Sequence, residues 1–134
     1  MKKIILFLLI SALMAVNVYA EQSYQLSTHI LDISKGAPAP NVEIWLYKLG
    51  SDGKSWQLVS KGVTDKNGRI ANFLPGNNNE GTYKLQFFTY NYFKSQHLES
   101  IYPYVDLVFS IRGKNHYHIP ITMSANGYAT YRGN

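Results

Sequence analysis

The 134-residue sequence contains no cysteine. That absence excludes disulfide bonds, a thioether-linked lipid anchor and a cysteine nucleophile, so stability has to come from packing and association. Acidic residues are also few, eight against thirteen Lys and Arg. The basic residues are scattered rather than clustered, however, and no stripe of them could track phosphates, which argues against a nucleic-acid partner. A mildly positive exterior suits small anionic substrates. No stretch sustains a helical apolar period, and nothing reads as low complexity, a repeat or an interdomain linker.

Long apolar runs are missing too, apart from "IILFLLISALMAV" directly after Lys2 and Lys3. That run is too short to cross a bilayer as a mature helix. With "VYA" before Glu21 it has the charged, apolar and small-x-small order of a secretory signal peptide. Residues 1–20 are therefore expected to be removed after Ala20, leaving residues 21–134 as one domain with no membrane association. Losing Lys2 and Lys3, with no acid among residues 1–20, lowers the formal charge from +5 to +3.

What is abundant is aromatic and β-branched residues with turn signals at short intervals, an all-β pattern. In "VEIWLY", Val42, Ile44 and Leu46 face one way and Glu43, Trp45 and Tyr47 the other; in "YKLQF", Tyr83, Leu85 and Phe87 oppose Lys84 and Gln86. "KGAPAPN", "DKNGR" and "PGNNNEG" read as turns. Strands are expected near 24–33, 42–49, 56–63, 69–73, 82–90, 104–111, 115–123 and 127–132, with one short helix near "YNYFKSQH". Two packed antiparallel sheets accommodate that many short strands economically.

Four histidines carry the chemistry on offer. Alternation through "QLSTHILD" places Ser27, His29 and Leu31 on one face and Leu26, Thr28 and Ile30 on the other. In "HYHIPITM", Tyr117, Ile119, Ile121 and Met123 form an apolar face, with His116, His118, Pro120 and Thr122 opposite. Spacing leaves three readings open: structural histidines, an acid–base site, or zinc ligands if His29, His116 and His118 converge. His97 sits in a loop or helix end and is assigned no role. Arg69, after the tight turn "DKNG", is either a solvated strand end or a planar fork for ligand oxygens. Trp45, Trp56, Phe87 and Phe88 read as core and interface material rather than a stacking platform.

Three segments, "LSTHILDISKGAPA", "TDKNGR" and "YHIPITMSANGYATYRGN", taken together resemble the 5-hydroxyisourate hydrolases, transthyretin-related enzymes of purine degradation. Their patterns include a near-N-terminal L-S-x-H-x-L, a G-R turn and a terminal Y-R-G-S. The resemblance implies a transthyretin-like all-β sandwich of two sheets and about eight strands with one short helix, assembled as a homotetramer, a dimer of dimers. The active sites would lie in the channel between dimers, with no metal or cofactor required. It also implies His29, Arg69 and His118 as catalytic residues, and His29, Arg69, Tyr131, Arg132, Gly133 and Asn134 as substrate-binding ones. His116 would only line the channel.

The reaction implied adds water across an acyl C–N bond of 5-hydroxyisourate. It needs a base for the water, donors for the oxyanion and an acid for the departing nitrogen. His29 and His118 are expected to hold and deprotonate the water, Arg69 to grip substrate oxygens, Tyr131 to orient the ring, and Arg132 with the terminal carboxylate to fix the tail. One departure stands out: the chain ends in Asn134 where the family pattern has serine, and an amide cannot relay a proton as a hydroxyl can. The similarity to exported bacterial members points to the periplasm. The rival readings are a transthyretin-like carrier of a small ligand without catalysis, and a structural or adhesive secreted sandwich.

Overall fold

The computed structural model describes residues 21–133; the expected signal peptide and Asn134 lie outside the described residues. Ten strands and one helix follow one another: β1 (Tyr24–Asp32), β2 (Ala37–Pro38), β3 (Glu43–Leu49), β4 (Trp56–Val63), β5 (Arg69–Pro75), β6 (Gly81–Phe87), α1 (Thr89–Lys94), β7 (Val105–Ile111), β8 (Tyr117–His118), β9 (Ile121–Ser124) and β10 (Gly127–Thr130). One sheet runs β10-β9-β1-β2, with β5 and β8 also paired to β1; the other runs β4-β3-β6-β7.

The apolar sets expected from alternation meet between the sheets. Leu26 and Ile30 of β1, Ile44 and Leu46 of β3, Leu85 and Phe87 of β6 and Ile121 of β9 are all fully buried. Their polar alternates face outward, because successive strand residues point to opposite faces. On the outer face of the second sheet, Trp45, Trp56 and Phe88 are half-buried, with Lys61 4.0 Å from the Trp45 ring and Lys84 4.8 Å from that of Trp56. Phe87 is core, whereas Trp45 and Trp56 lie under lysine ammonium groups and Phe88 meets the Trp45 ring edge-on at 5.0 Å.

The first sheet is mixed, which corrects the expectation of two antiparallel sheets: β1 runs parallel to both β8 and β9. The strand expected over 115–123 is also two strands. Pro120 has no N–H to give a ladder, so β8 stops before it, and β9 resumes at Ile121. Ile119 still donates its N–H to the Ser27 carbonyl at 3.0 Å.

Helix α1 lies against the end of β1. Phe93 enters the core, and the Tyr92 hydroxyl donates to Asp32 Oδ2 at 2.8 Å. Burial pushes the Asp32 carboxyl up, but hydrogen bonds from Ser34, Tyr92 and the Lys35 backbone outweigh it and hold the group below its ordinary value.

Candidate active site

Strand β1 is the platform. Its outward residues Ser27 and His29 are half-buried, while Leu26, Thr28 and Ile30 between and beside them are buried. Pairing with β5 sets His29 directly across from Arg69. Between Leu26–Phe73 and Thr28–Ile70 the register slips, so β5 spends one extra residue opposite Ser27. A bulge of this kind bends a strand and re-aims its side chains.

Arg69 owes its position to the turn before it. Asp65 Oδ1 accepts the backbone N–H groups of Asn67 at 2.8 Å and Arg69 at 3.0 Å, and the Gly68 N–H donates to the Asp65 carbonyl at 2.9 Å. Gly68 has φ +72°, and a Cβ there would sit 2.7 Å from the Ile30 carbonyl oxygen and 3.0 Å from Ala39 N. Neither backbone atom can swing aside. Gly68→Ala is therefore expected to destabilise the fold by about 1–3 kcal/mol through backbone strain, with the steric overlap adding to it. Thermal unfolding of the purified variant checks this; an unchanged midpoint would show that the turn is not held in place as described.

The other half of the site comes from the parallel partner. β8 places His118 beside Ser27, and the Ser27 hydroxyl is 2.8 Å from His118 Nδ1 and 2.8 Å from His116 Nε2. His116 Nδ1 in turn lies 2.8 Å from the Tyr24 carbonyl oxygen. Ser27, Arg69, His116 and His118 line one cavity of about 330 Å³. His29 is not among its lining residues; it stands across from Arg69 in the β1–β5 register.

Electrostatics favour neutral imidazoles. Burial, then the Arg69 guanidinium, push the His29 pKa below its ordinary value; a hydrogen bond from the ring to the Asn67 backbone carbonyl and the nearby Asp65 only partly oppose them. His118 is lowered by burial first, then by Arg69, His29 and His116. A neutral imidazole beside a permanent cation is suited to accept a proton from water.

The chain end is docked in part. The Gly133 N–H donates to the His118 carbonyl at 2.8 Å, and a Cβ on Gly133 would lie 2.7 Å from His118 Cδ2. The Arg132 guanidinium covers the Tyr117 ring at 4.1 Å. Tyr131 is 58% exposed. Together with Arg132 it lines a groove beside Leu107 and Ile119 of β7 and the β8–β9 link, rather than the histidine cavity of the same chain. His97, at φ 59° after α1, lies in a separate groove with Tyr90, Leu98 and Ile101.

Among the described residues, no three His, Cys, Asp or Glu side chains stand close enough to hold a metal ion. The arrangement offers a base, a permanent cation and a hydroxyl at the wall of a cavity. Ser27 is the residue that sequence reasoning passed over. Its signal was present, since alternation already put it on the face of His29, but its partners lie 89 and 91 residues away.

Comparison with known proteins identifies the family. Residues 26–133 match the model of the HIUase/Transthyretin family. A probable 5-hydroxyisourate hydrolase of Caenorhabditis elegans is 41% identical over 129 residues, covering 95% of this chain and 94% of that protein. Among solved structures, Klebsiella pneumoniae 5-hydroxyisourate hydrolase superposes with a TM-score of 0.71 at 36% identity, over 81% of this chain and 98% of its own. Sea bream transthyretin in complex with thyroxine gives 0.75 at 29% identity, over 81% and 94%. Two sheets, one short helix and a match running from β1 to the docked tail lead to one conclusion: this chain belongs to the HIUase/transthyretin family.

Proposed function

We propose that the protein is an enzyme that hydrolyses 5-hydroxyisourate to 2-oxo-4-hydroxy-4-carboxy-5-ureidoimidazoline. The observation that carries this reading is the cavity where His118 and Arg69 meet, with His29 across from Arg69. Its support from outside the chain is the hydrolase relatives at similar length.

In this reading His118 and His29 hold a water against the ring carbonyl. An imidazole takes the proton as the water oxygen bonds to carbon, and Arg69 binds substrate oxygens and offsets the developing negative charge. The C–N bond then breaks as an imidazole returns the proton to the departing nitrogen. Tyr131 orients the ring, while Arg132, Gly133 and the terminal residue Asn134 hold the tail. Since Tyr131 and Arg132 do not line the histidine cavity of their own chain, their contribution is assigned to the assembled protein, a homotetramer.

Strand edges β7 and β10, with Val108 and Tyr128 exposed on them, are available for such assembly. Residues 1–20 are assigned as a signal peptide and the mature enzyme to the periplasm. A light-scattering mass of four chains, and a periplasmic product whose mass begins at Glu21, check these two assignments; a monomer or a cytoplasmic full-length chain contradicts them.

The function itself is tested by generating 5-hydroxyisourate from urate with a uricase and following its ultraviolet absorbance with and without residues 21–134. Decay accelerated in proportion to protein is expected. The second reading, a small-ligand carrier, is favoured only by the likeness to a thyroxine-bound transthyretin. It predicts no acceleration, together with ligand-dependent stabilisation of the fold.

A further inference from the structure

The hydrolase reading leaves two groups at the cavity wall unused, the Ser27 hydroxyl and the His116 ring. The direction of their hydrogen bonds follows from one end. The Tyr24 carbonyl can only accept, so the hydrogen of a neutral His116 ring is on Nδ1. Its Nε2 is then an acceptor, and the Ser27 O–H must donate to it. With its own hydrogen committed, Ser27 Oγ accepts from His118 Nδ1–H. His118 is thereby held in the tautomer whose Nε2 carries a lone pair, and that nitrogen makes no hydrogen bond to the described residues.

We propose that Ser27 and His116 are positioning residues that form a proton relay behind His118, with His116 as the terminal site of the proton taken from water. The proposal rests on the hydrolase reading above. As the water oxygen bonds to the ring carbonyl carbon, its O–H bond breaks and the proton goes to His118 Nε2. The proton on His118 Nδ1 moves to Ser27 Oγ, and the original Ser27 proton moves to His116 Nε2. One proton has travelled from water to His116, and His118 is again neutral, now with its hydrogen on Nε2. That N–H faces the departing nitrogen. When it is given up as the C–N bond breaks, the relay runs backward and every group regains its first hydrogen.

The direction has a physical reason. His118 is faced by Arg69 from β5, His29 from β1 and His116 from the residues before β8, with Gly133 of the tail adding no charge. An imidazolium at His118 would be half-buried among those groups. His116 is exposed, so a charge there is hydrated. Two bonds of 2.8 Å, both at Ser27 Oγ, connect His118 to His116 without a gap, and a third of 2.8 Å anchors His116 to the Tyr24 carbonyl.

Steady-state kinetics and proton inventories in H2O/D2O mixtures, on the full mature chain with uncatalysed decay subtracted, test the relay. Ser27→Ala is expected to lower kcat by about 10²-fold with KM little changed, and Ser27→Thr, which keeps the hydroxyl, to restore it. His116→Gln separates relay from orientation. Its amide oxygen can still accept from Ser27 and hold the tautomer, but it cannot take a proton. It is expected to lower kcat by about tenfold or more and to turn a curved wild-type proton inventory linear.

If His116→Gln keeps kcat within about threefold and a curved inventory, the relay is overturned, whether or not Ser27→Ala is impaired. His118→Asn, measured in parallel, identifies the other failure. If it too is fully active, the hydrolytic role of His118 has fallen rather than the relay alone. Because His116 is exposed, its variant decides the matter even if Ser27→Ala does not fold.

Discussion

His118→Asn is expected to lower the turnover of 5-hydroxyisourate by about 10²–10⁴-fold, the span associated with loss of a positioned general acid–base group. Asparagine keeps an amide near the position of Nδ1, within reach of Ser27, but has nothing at the position of Nε2. The backbone of residue 118 would go on accepting from Gly133 N–H and pairing with β1, so the fold and the docking of Gly133 should survive. Circular dichroism and unfolding temperature check that half of the prediction, and the uricase-coupled assay the other. Turnover within a factor of a few of wild type would remove His118 from water activation.

The pH dependence follows from the same environment. His29 and His118 both lie below the ordinary value of 6.5, so the acid limb of the rate profile should fall below 6.5 rather than at it. Stability has the matching sign. Below 6.5 the unfolded chain takes up protons that the folded histidines decline, so stability falls as pH drops from 6.5 through the folded pKa values and then levels off. Above 6.5 neither state binds the proton and these groups contribute no slope.

Arg69→Met carries the second large effect. Removing one donor to a developing oxyanion costs about 10²–10³-fold in kcat, and a loss in that range is expected here. Arg69→Lys should fall between the two, since a point charge replaces a planar fork. The turn is built from the Asp65 carboxylate and the backbone of residues 65–69, so side-chain replacement should leave it intact. A second readout separates charge from mere contact. Arg69 depresses both His29 and His118, so its removal should raise both pKa values and move the acid limb of kcat/KM to higher pH. Lysine should largely prevent that move. A Met variant with wild-type turnover and an unmoved limb would exclude Arg69 from the site.

Much of this was legible from residue patterns. Alternation in "VEIWLY" and "YKLQF" identified the buried sets of β3 and β6, and the family motifs pointed to His29, Arg69, His118 and the tail. The strand expected over 115–123 divides at Pro120, where loss of one ladder donor separates β8 from β9. Ser27 was seen only as a neighbour of His29, because a serine in a strand has no local mark of function until its partners are in place.

By itself the sequence determined the all-β class, the inward and outward face of each main strand and the Asp65–Gly68 turn. These depend on dihedral preferences and a side-chain period of two, both local properties of the chain. Tertiary structure alone decided that β8 runs parallel to β1, that β5 bulges opposite Ser27 and that Gly133 closes on His118. Each of these joins residues far apart in the chain, and strand pairing is settled by which apolar faces can be buried together rather than by anything a single segment encodes.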